Sequence, residues 1–194
     1  MKSNGRIPFI SDIAAATSRP LFIGGCSATA TFATISFIST RWLRYKRLFV
    51  ACSLSIKDKR KEFSCLVVVV VSISIGGLAL VLLSIFDIHQ HKILHWSFVA
   101  IFMFCYSITM SLICWELRTS LTISQNNAMR LSYRIKTTVL MLELIIAVPY
   151  SVLAFLGLMA DIASVLEWII AFLFIPYMLS MGIDVFYIKG YIYH

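Results

Sequence analysis

The sequence predicts an all-α, polytopic transmembrane helix bundle of about five spans, forming a single transmembrane domain over residues 1–194. Three observations predict it. Hydrophobic residues make up 60% of the chain and the mean hydropathy is +0.89, whereas soluble domains are roughly 45–50% apolar. Apolar runs of about twenty residues recur along the chain, and at ~1.5 Å of helical rise per residue each covers the ~30 Å hydrocarbon core of a bilayer. The 17 Lys and Arg that give the chain its net charge of +8 cluster between these runs, where they act as topology determinants. This placement argues against nucleic-acid binding, which calls for a basic patch or stripe on one face.

Residues 1–20 contain no apolar stretch long enough for the core of a signal peptide. Pro8 and Pro20 frame Ile10-Ser11-Asp12, which reads as a turn followed by an exposed segment. The first span covers 21–40, and its Gly24, Gly25, Ala30 and Ala33 let helix backbones approach closely, so an interior helix is expected. Residues 41–63 form the most basic segment, with Arg41, Arg44, Lys46, Arg47, Lys57, Lys59, Arg60 and Lys61. Interleaved with Trp42, Tyr45 and Phe49, its cations Arg44, Lys46 and Arg47 suit contact with anionic lipid heads, or serve topology alone.

The second span, 65–86, opens on a valine run at 67–71 whose surroundings are too long and apolar for a buried strand. Its Gly76-Gly77 pair allows close packing. A loop carrying Asp87, His89, His91 and His95 leads into the third span, 96–115, with Trp96 and Trp115 at its two ends, as an interfacial belt requires. Residues 116–136 read as a second basic loop, with Arg118, Arg130, Arg134 and Lys136. The fourth span, 138–159, carries Glu143 and Pro149, and a tight turn around Asp161 leads to the fifth, 165–187. There Glu167 lies near one interface and Asp184 near the other, while Pro176 frees the Phe172 carbonyl mid-span. Tyr177, Ser180 and Asp184 follow at i, i+3, i+7 spacing and share a face that should turn toward other helices.

Cytosolic loops carry the excess of Lys and Arg. The segments at 41–61 and 118–136, with Lys189 in the tail, outweigh Lys2, Arg6, Arg19 and Lys92 on the other face. The C-terminus is therefore expected in the cytosol, and the histidine loop, Asp12 and Asp161 in the lumen or outside the cell.

The five cysteines, Cys26, Cys52, Cys65, Cys105 and Cys114, show no spacing that suggests disulfides or zinc and read as small buried hydrophobes, with Cys52 placed for palmitoylation. The histidine loop admits two readings from its residues, a metal site in which His91 and His95 share a helical face, or an interfacial polar loop; no metal and no cofactor is expected. Glu143 is placed a turn or so inside the cytosolic edge of its span, where an acid facing lipid costs about 2.5 kcal/mol or more. It must face protein or water, or carry a proton, and it serves either a hydrogen bond across helices or a lipid or substrate contact. Glu167 and Asp184 divide in the same way, Asp184 also reading as the solvated end of its helix with Lys189 close by. No Gly-rich phosphate loop, nucleophile elbow or Ser-His-Asp spacing is recognisable, so the residues themselves supply no reaction.

Pro8-Phe-Ile-Ser-Asp12 before the first span, Trp42-Leu-Arg44-Tyr45 at its exit, His95 opening the third, and Glu167-Trp168 followed by Ala171-Phe172, Tyr177, Ser180 and Asp184 come in a telling order. Together they resemble the CWH-type N-terminal domain family, which groups the Frag proteins, the DRAM autophagy modulators and the Sfk proteins. Leu112-Ile-Cys-Trp115-Glu-Leu-Arg118-Thr, Ile123-Ser-Gln125 and Ser132-Tyr133-Arg134 look most like the Frag branch, the post-GPI attachment to proteins factor two. Ile10-Ser11-Asp12 looks more like the DRAM branch.

The resemblance implies a Golgi or ER membrane protein, or in the other branches a lysosomal or plasma-membrane one. Its partners would be membrane lipids, GPI lipid or GPI-anchored proteins, and other membrane proteins. It would act as a factor in fatty-acid remodelling of GPI anchors rather than by a catalytic set of its own. The alternative is a regulator of autophagy or of phosphoinositide kinase recruitment. Family members usually carry one more span before the Ile-Ser-Asp segment, which implies that this helix is absent or the sequence incomplete. The resemblance also implies a third role for His95, as a proton carrier working with Glu167 at the lumenal ends of their spans, since imidazoles titrate near neutrality. Asp12, His95, Glu143, Glu167 and Asp184 are thus the candidate functional polar residues.

Overall fold

A computed structural model describes residues 7–15, 19–51, 56–86, 91–123 and 127–192. The described residues form six helices and no strand: α1 (Ile10–Ala15), α2 (Arg19–Ala51), α3 (Ile56–Ile85), α4 (Lys92–Ile123), α5 (Asn127–Leu156) and α6 (Ala160–Ile192). Five of these are long and apolar enough to cross a membrane, over Arg19–Leu43, Phe63–Ile85, Lys92–Arg118, Asn127–Leu156 and Ala160–Phe186. The protein is an integral membrane protein with an all-α polytopic bundle.

The five long helices pack in a ring, α2 on α3, α3 on α4, α4 on α5, α5 on α6, and α6 back on α2. α3 is held closely on both sides by its two glycines. A Cβ on Gly76 would lie 3.2 Å from Cys105 Cβ of α4, and one on Gly77 would lie 3.0 Å from Thr34 Oγ1 of α2. The Gly24-Gly25 pair behaves differently, because a Cβ on either would meet nothing within 4 Å. The small residues of α2 thus divide: Ala30 and Ala33 are buried toward the bundle, whereas Gly24 and Gly25 stand open, and α2 is one member of the ring with Phe32 and Ile35 exposed.

Three further expectations change. The basic segments at 41–63 and 116–136 are largely helical: α2 runs on to Ala51, α4 to Ile123, and α5 starts at Asn127. Their polar residues alternate with apolar ones that keep the helical period, so the helices outlast the apolar runs. The tight turn lies before Asp161 rather than around it. Gly157 (φ 68°) follows the end of α5 and the Leu158 amide donates to the Leu153 carbonyl over 2.9 Å, the pattern of a Schellman cap. Asp161 falls in the first turn of α6, where a carboxylate suits the helix dipole.

The segment from Ile7 is not a free lead-in, although Ile7, Pro8 and Ile13 stay exposed. The segment lies along the first two turns of α6, where the Ile7 amide donates to Asp161 Oδ1 (3.1 Å), the Ser164 hydroxyl donates to the Ile7 carbonyl (3.0 Å) and Trp168 Nε1 donates to the Pro8 carbonyl (3.2 Å). Asp161, Ser164 and Trp168 recur at helical spacing, so one face of α6 provides all three partners.

Candidate functional site

The bundle has a polar end, an aromatic middle and an open end. At the end away from α1, Arg41 of α2 pairs with Glu116 of α4 through its two terminal guanidinium nitrogens, Nη1 and Nη2, and both carboxylate oxygens, with both side chains buried. Lys136 of α5, fully buried, sits 3.1 Å from Asp184 Oδ2 of α6 and donates to Ser132 Oγ (2.5 Å) and the Ser180 carbonyl (3.1 Å), while the Ser132 hydroxyl donates to Asp184 Oδ1 (2.6 Å). Asp184 is therefore buried and held by Lys136, not solvated beside Lys189, whose side chain lies outside the described residues.

Above these pairs, Tyr177 closes the bundle. Its ring stacks on Phe37 of α2 at 5.8 Å, meets Tyr106 of α4 edge-on at 5.9 Å and lies 5.8 Å from Lys136 Nζ. Tyr177, Ser180 and Asp184 are all buried, as their shared face predicted.

Beyond that layer, toward α1, the helices part around a cavity of about 620 Å³ to which all six contribute. Its walls are mostly apolar, with Leu80, Leu83, Val99, Phe102 and Phe174 among them, and His95, Tyr106, Glu143, Tyr150 and Glu167 supply polar groups. Among the described lining residues, those that are also exposed lie on α1, α2 and α6, namely Ile13, Leu21, Gly25, Thr29 and Ala171. The cavity thus opens sideways between α2 and α6, beneath α1. The bare Gly24-Gly25 stretch leaves that side unfilled.

His95 has a fixed tautomer. Its Nδ1 lies 3.1 Å from the Leu83 carbonyl and 2.9 Å from the Phe86 carbonyl, and since carbonyls only accept, Nδ1 carries the hydrogen. These are carbonyls that the end of α3 leaves without helical partners, and Arg19 takes the Ile85 carbonyl at 2.8 Å in the same way. In the neutral ring Nε2 then holds a lone pair.

Glu167 accepts from the Ile10 amide at 2.8 Å, and the Ser11 amide and hydroxyl also lie against its carboxylate, with Asp12 close by. His95 and Glu167 line one cavity, yet each has its own direct partners. Asp12 is half-buried beside them rather than exposed.

Glu143 lies midway along α5. α5 begins sixteen residues before it and ends thirteen after it, which puts the carboxyl ~20 Å from the α1-side end at 1.5 Å per residue. It is 4% exposed, lines the cavity, and among the described residues no hydrogen-bond donor reaches it.

Arg44, Lys46 and Arg47 belong to the helical extension of α2, and their side chains lie outside the described residues, as do His89 and the rest of 87–90. The described residues hold no cluster of three or more His, Cys, Asp or Glu able to bind a metal.

The buried ion pairs and the cavity tyrosines are what the linear reading missed. One signal was present: Met129, Ser132, Lys136, Val139, Leu140 and Glu143 recur at three- and four-residue steps and form the buried face of α5. That period runs straight through the polar stretch from Asn127 to Lys136.

The family model described as Frag1/DRAM/Sfk1/Cwh43P N-terminal domain matches residues 1–188, nearly the whole chain. The chain belongs to this family. No curated protein and no solved structure matches it. In this Frag1/DRAM/Sfk1/Cwh43P domain, two separated stretches of the family-like pattern, Pro8 to Asp12 and Glu167-Trp168, are bonded to one another at the α1 end of the cavity.

Proposed function

We propose that the protein is a membrane factor in the lipid remodelling of GPI anchors, and so in the maturation or transport of GPI-anchored proteins, resident in the Golgi or ER with a cytosolic C-terminus. The observation that carries this reading is the side-opening cavity within the apolar spans. Its volume falls in the range of small-molecule sites, roughly 300–1,000 Å³, and such sites pair apolar walls with a few placed polar groups. A mouth between α2 and α6 lets a chain enter from the bilayer without crossing water. The resemblance of Leu112 to Thr119 and of Ser132-Tyr133-Arg134 to the Frag branch supports GPI lipid as the occupant. The protein would hold the lipid for remodelling by another enzyme.

Mass spectrometry of the lipid on GPI-anchored proteins tests this in a deletion strain. Loss of the protein should leave anchors with unremodelled chains, and a Thr29→Trp variant, which fills the mouth, should rescue poorly while reaching its membrane at the normal level. Unchanged anchors together with altered autophagy or displaced phosphoinositide kinase would instead favour the regulatory role known among the DRAM and Sfk branches.

A further inference from the structure

We infer that the cavity selects an amphiphile whose polar end presents hydrogen-bond donors, hydroxyl or amine, and rejects one that presents a phosphate or carboxylate to the same place. This rests on the cavity being a lipid site. Among the described residues that line it there is no Lys or Arg, whereas two carboxyl groups are present, Glu143 and Glu167. Sites for anionic heads are built from charge-assisted donors, Arg forks above all. Here an anion would enter a low-dielectric chamber with no described cation to pair with, at a large desolvation cost.

The polar groups already in use sharpen the point. Trp168 Nε1 is occupied by the Pro8 carbonyl, the Ile10 amide by Glu167 Oε2, and His95 Nδ1 by the end of α3. What remains for a ligand is chiefly acceptor capacity: the Glu143 carboxyl, nine-tenths and more buried without a donor among the described residues, and the Nε2 lone pair of His95. The Tyr106 hydroxyl, buried and without a hydrogen-bond partner among the described residues, and the hydroxyls of Thr29 and Tyr150, which also line the cavity, are neutral groups that donate or accept. Leaving buried acceptors unmet is costly, so a ligand that brings donors gains more than an apolar chain alone would. For a GPI lipid the consequence is that its phosphate stays outside the chamber while a hydroxyl or amine reaches in.

The full chain, purified and placed in phosphatidylcholine nanodiscs, is exposed to three photoactivatable diazirine probes matched in chain length: diacylglycerol, a long-chain amine, and phosphatidic acid. Adducts are mapped by peptide mass spectrometry. The diacylglycerol or the amine probe should label α2, α4 or α6 residues of the cavity at least about tenfold more than phosphatidic acid does, a difference of one decade in affinity. Whichever of the two leads names the donor. Glu143→Gln keeps the volume, replaces acceptor by donor capacity and has no described partner to disturb, so it should narrow the preference several-fold without changing the elution profile. Equal or stronger labelling by phosphatidic acid overturns the inference and leaves the cavity a lipid site. Absence of cavity adducts with all three probes overturns both.

Discussion

Lys136 Nζ lies 3.1 Å from Asp184 Oδ2, joining α5 to α6 with neither side chain open to solvent. Ser132 Oγ and the Ser180 carbonyl also accept from the lysine, so the charge is paired and hydrogen-bonded, as a buried ion must be. Removing one partner strands the other. Asp184→Ala should therefore lower the stability of the purified protein by about 3–5 kcal/mol. The double variant Lys136→Met, Asp184→Leu should recover most of it, because no charge is left buried. Unfolding in graded SDS, read by a double-mutant cycle, checks this, and a double variant as unstable as Asp184→Ala would refute it.

What the linear sequence disclosed follows from which physical signal dominates each stretch. Span number and type were legible because an apolar run of about twenty residues has few other uses. Helix ends were not, since Arg118, Arg130 and Arg134 mark a polar segment without saying whether its backbone stays helical. Lys136 was grouped with them on charge, while its spacing from Ser132 and Glu143 placed it on the inner face. The face of Tyr177, Ser180 and Asp184 was read correctly, its helical spacing being a local property. The cavity was beyond reach: it exists only where six helices converge, and no local pattern encodes that meeting.

The glycines of α3 and α2 separate tight packing from open surface. At Gly76 a new Cβ would meet Cys105 Cβ at 3.2 Å, an atom fixed to the α4 backbone, whereas at Gly77 the 3.0 Å neighbour is the Thr34 hydroxyl, which rotates away. Gly76→Leu should thus cost about 1–3 kcal/mol, as overpacking does, and Gly76→Ala should cost more than Gly77→Ala. Gly24→Ala meets nothing within 4 Å and should be neutral or slightly stabilising. Thermal stability by fluorescence-detected size exclusion ranks the four, and a destabilised Gly24→Ala would mean that α2 packs on another surface there.

Topology gives a direct test of the proposed orientation. Lys92, exposed at the α1 end of α4, and Arg130, exposed near the start of α5, lie at opposite ends of the bundle. In a background with the five native cysteines replaced, a membrane-impermeant maleimide applied to sealed ER or Golgi vesicles should modify Arg130→Cys at once and Lys92→Cys only after permeabilisation. The reverse pattern would invert the orientation and put the α1 end in the cytosol.

His95 and Glu167 line one cavity without sharing a hydrogen bond, which allows their structural and functional contributions to be separated. Glu167 holds the Ile10 amide at 2.8 Å, and His95 Nδ1 holds two carbonyls at the end of α3, so truncating either loosens the roof of the cavity. His95→Ala should lose both stability and anchor remodelling. His95→Asn keeps an amide donor near the place of Nδ1 and loses the Nε2 lone pair, so it should retain stability and Golgi placement while remodelling falls. Glu167→Gln still accepts from Ile10 through its amide oxygen and should likewise fold but remodel poorly. If Nε2 and the carboxyl exchange a proton with the same bound lipid, the pair acts as a unit and the double variant His95→Asn, Glu167→Gln should be little worse than either single one. Losses that simply multiply would mean that the two act independently. Full rescue of a deletion strain by both single variants would reduce them to supports of the α3 end and of the strap along α6.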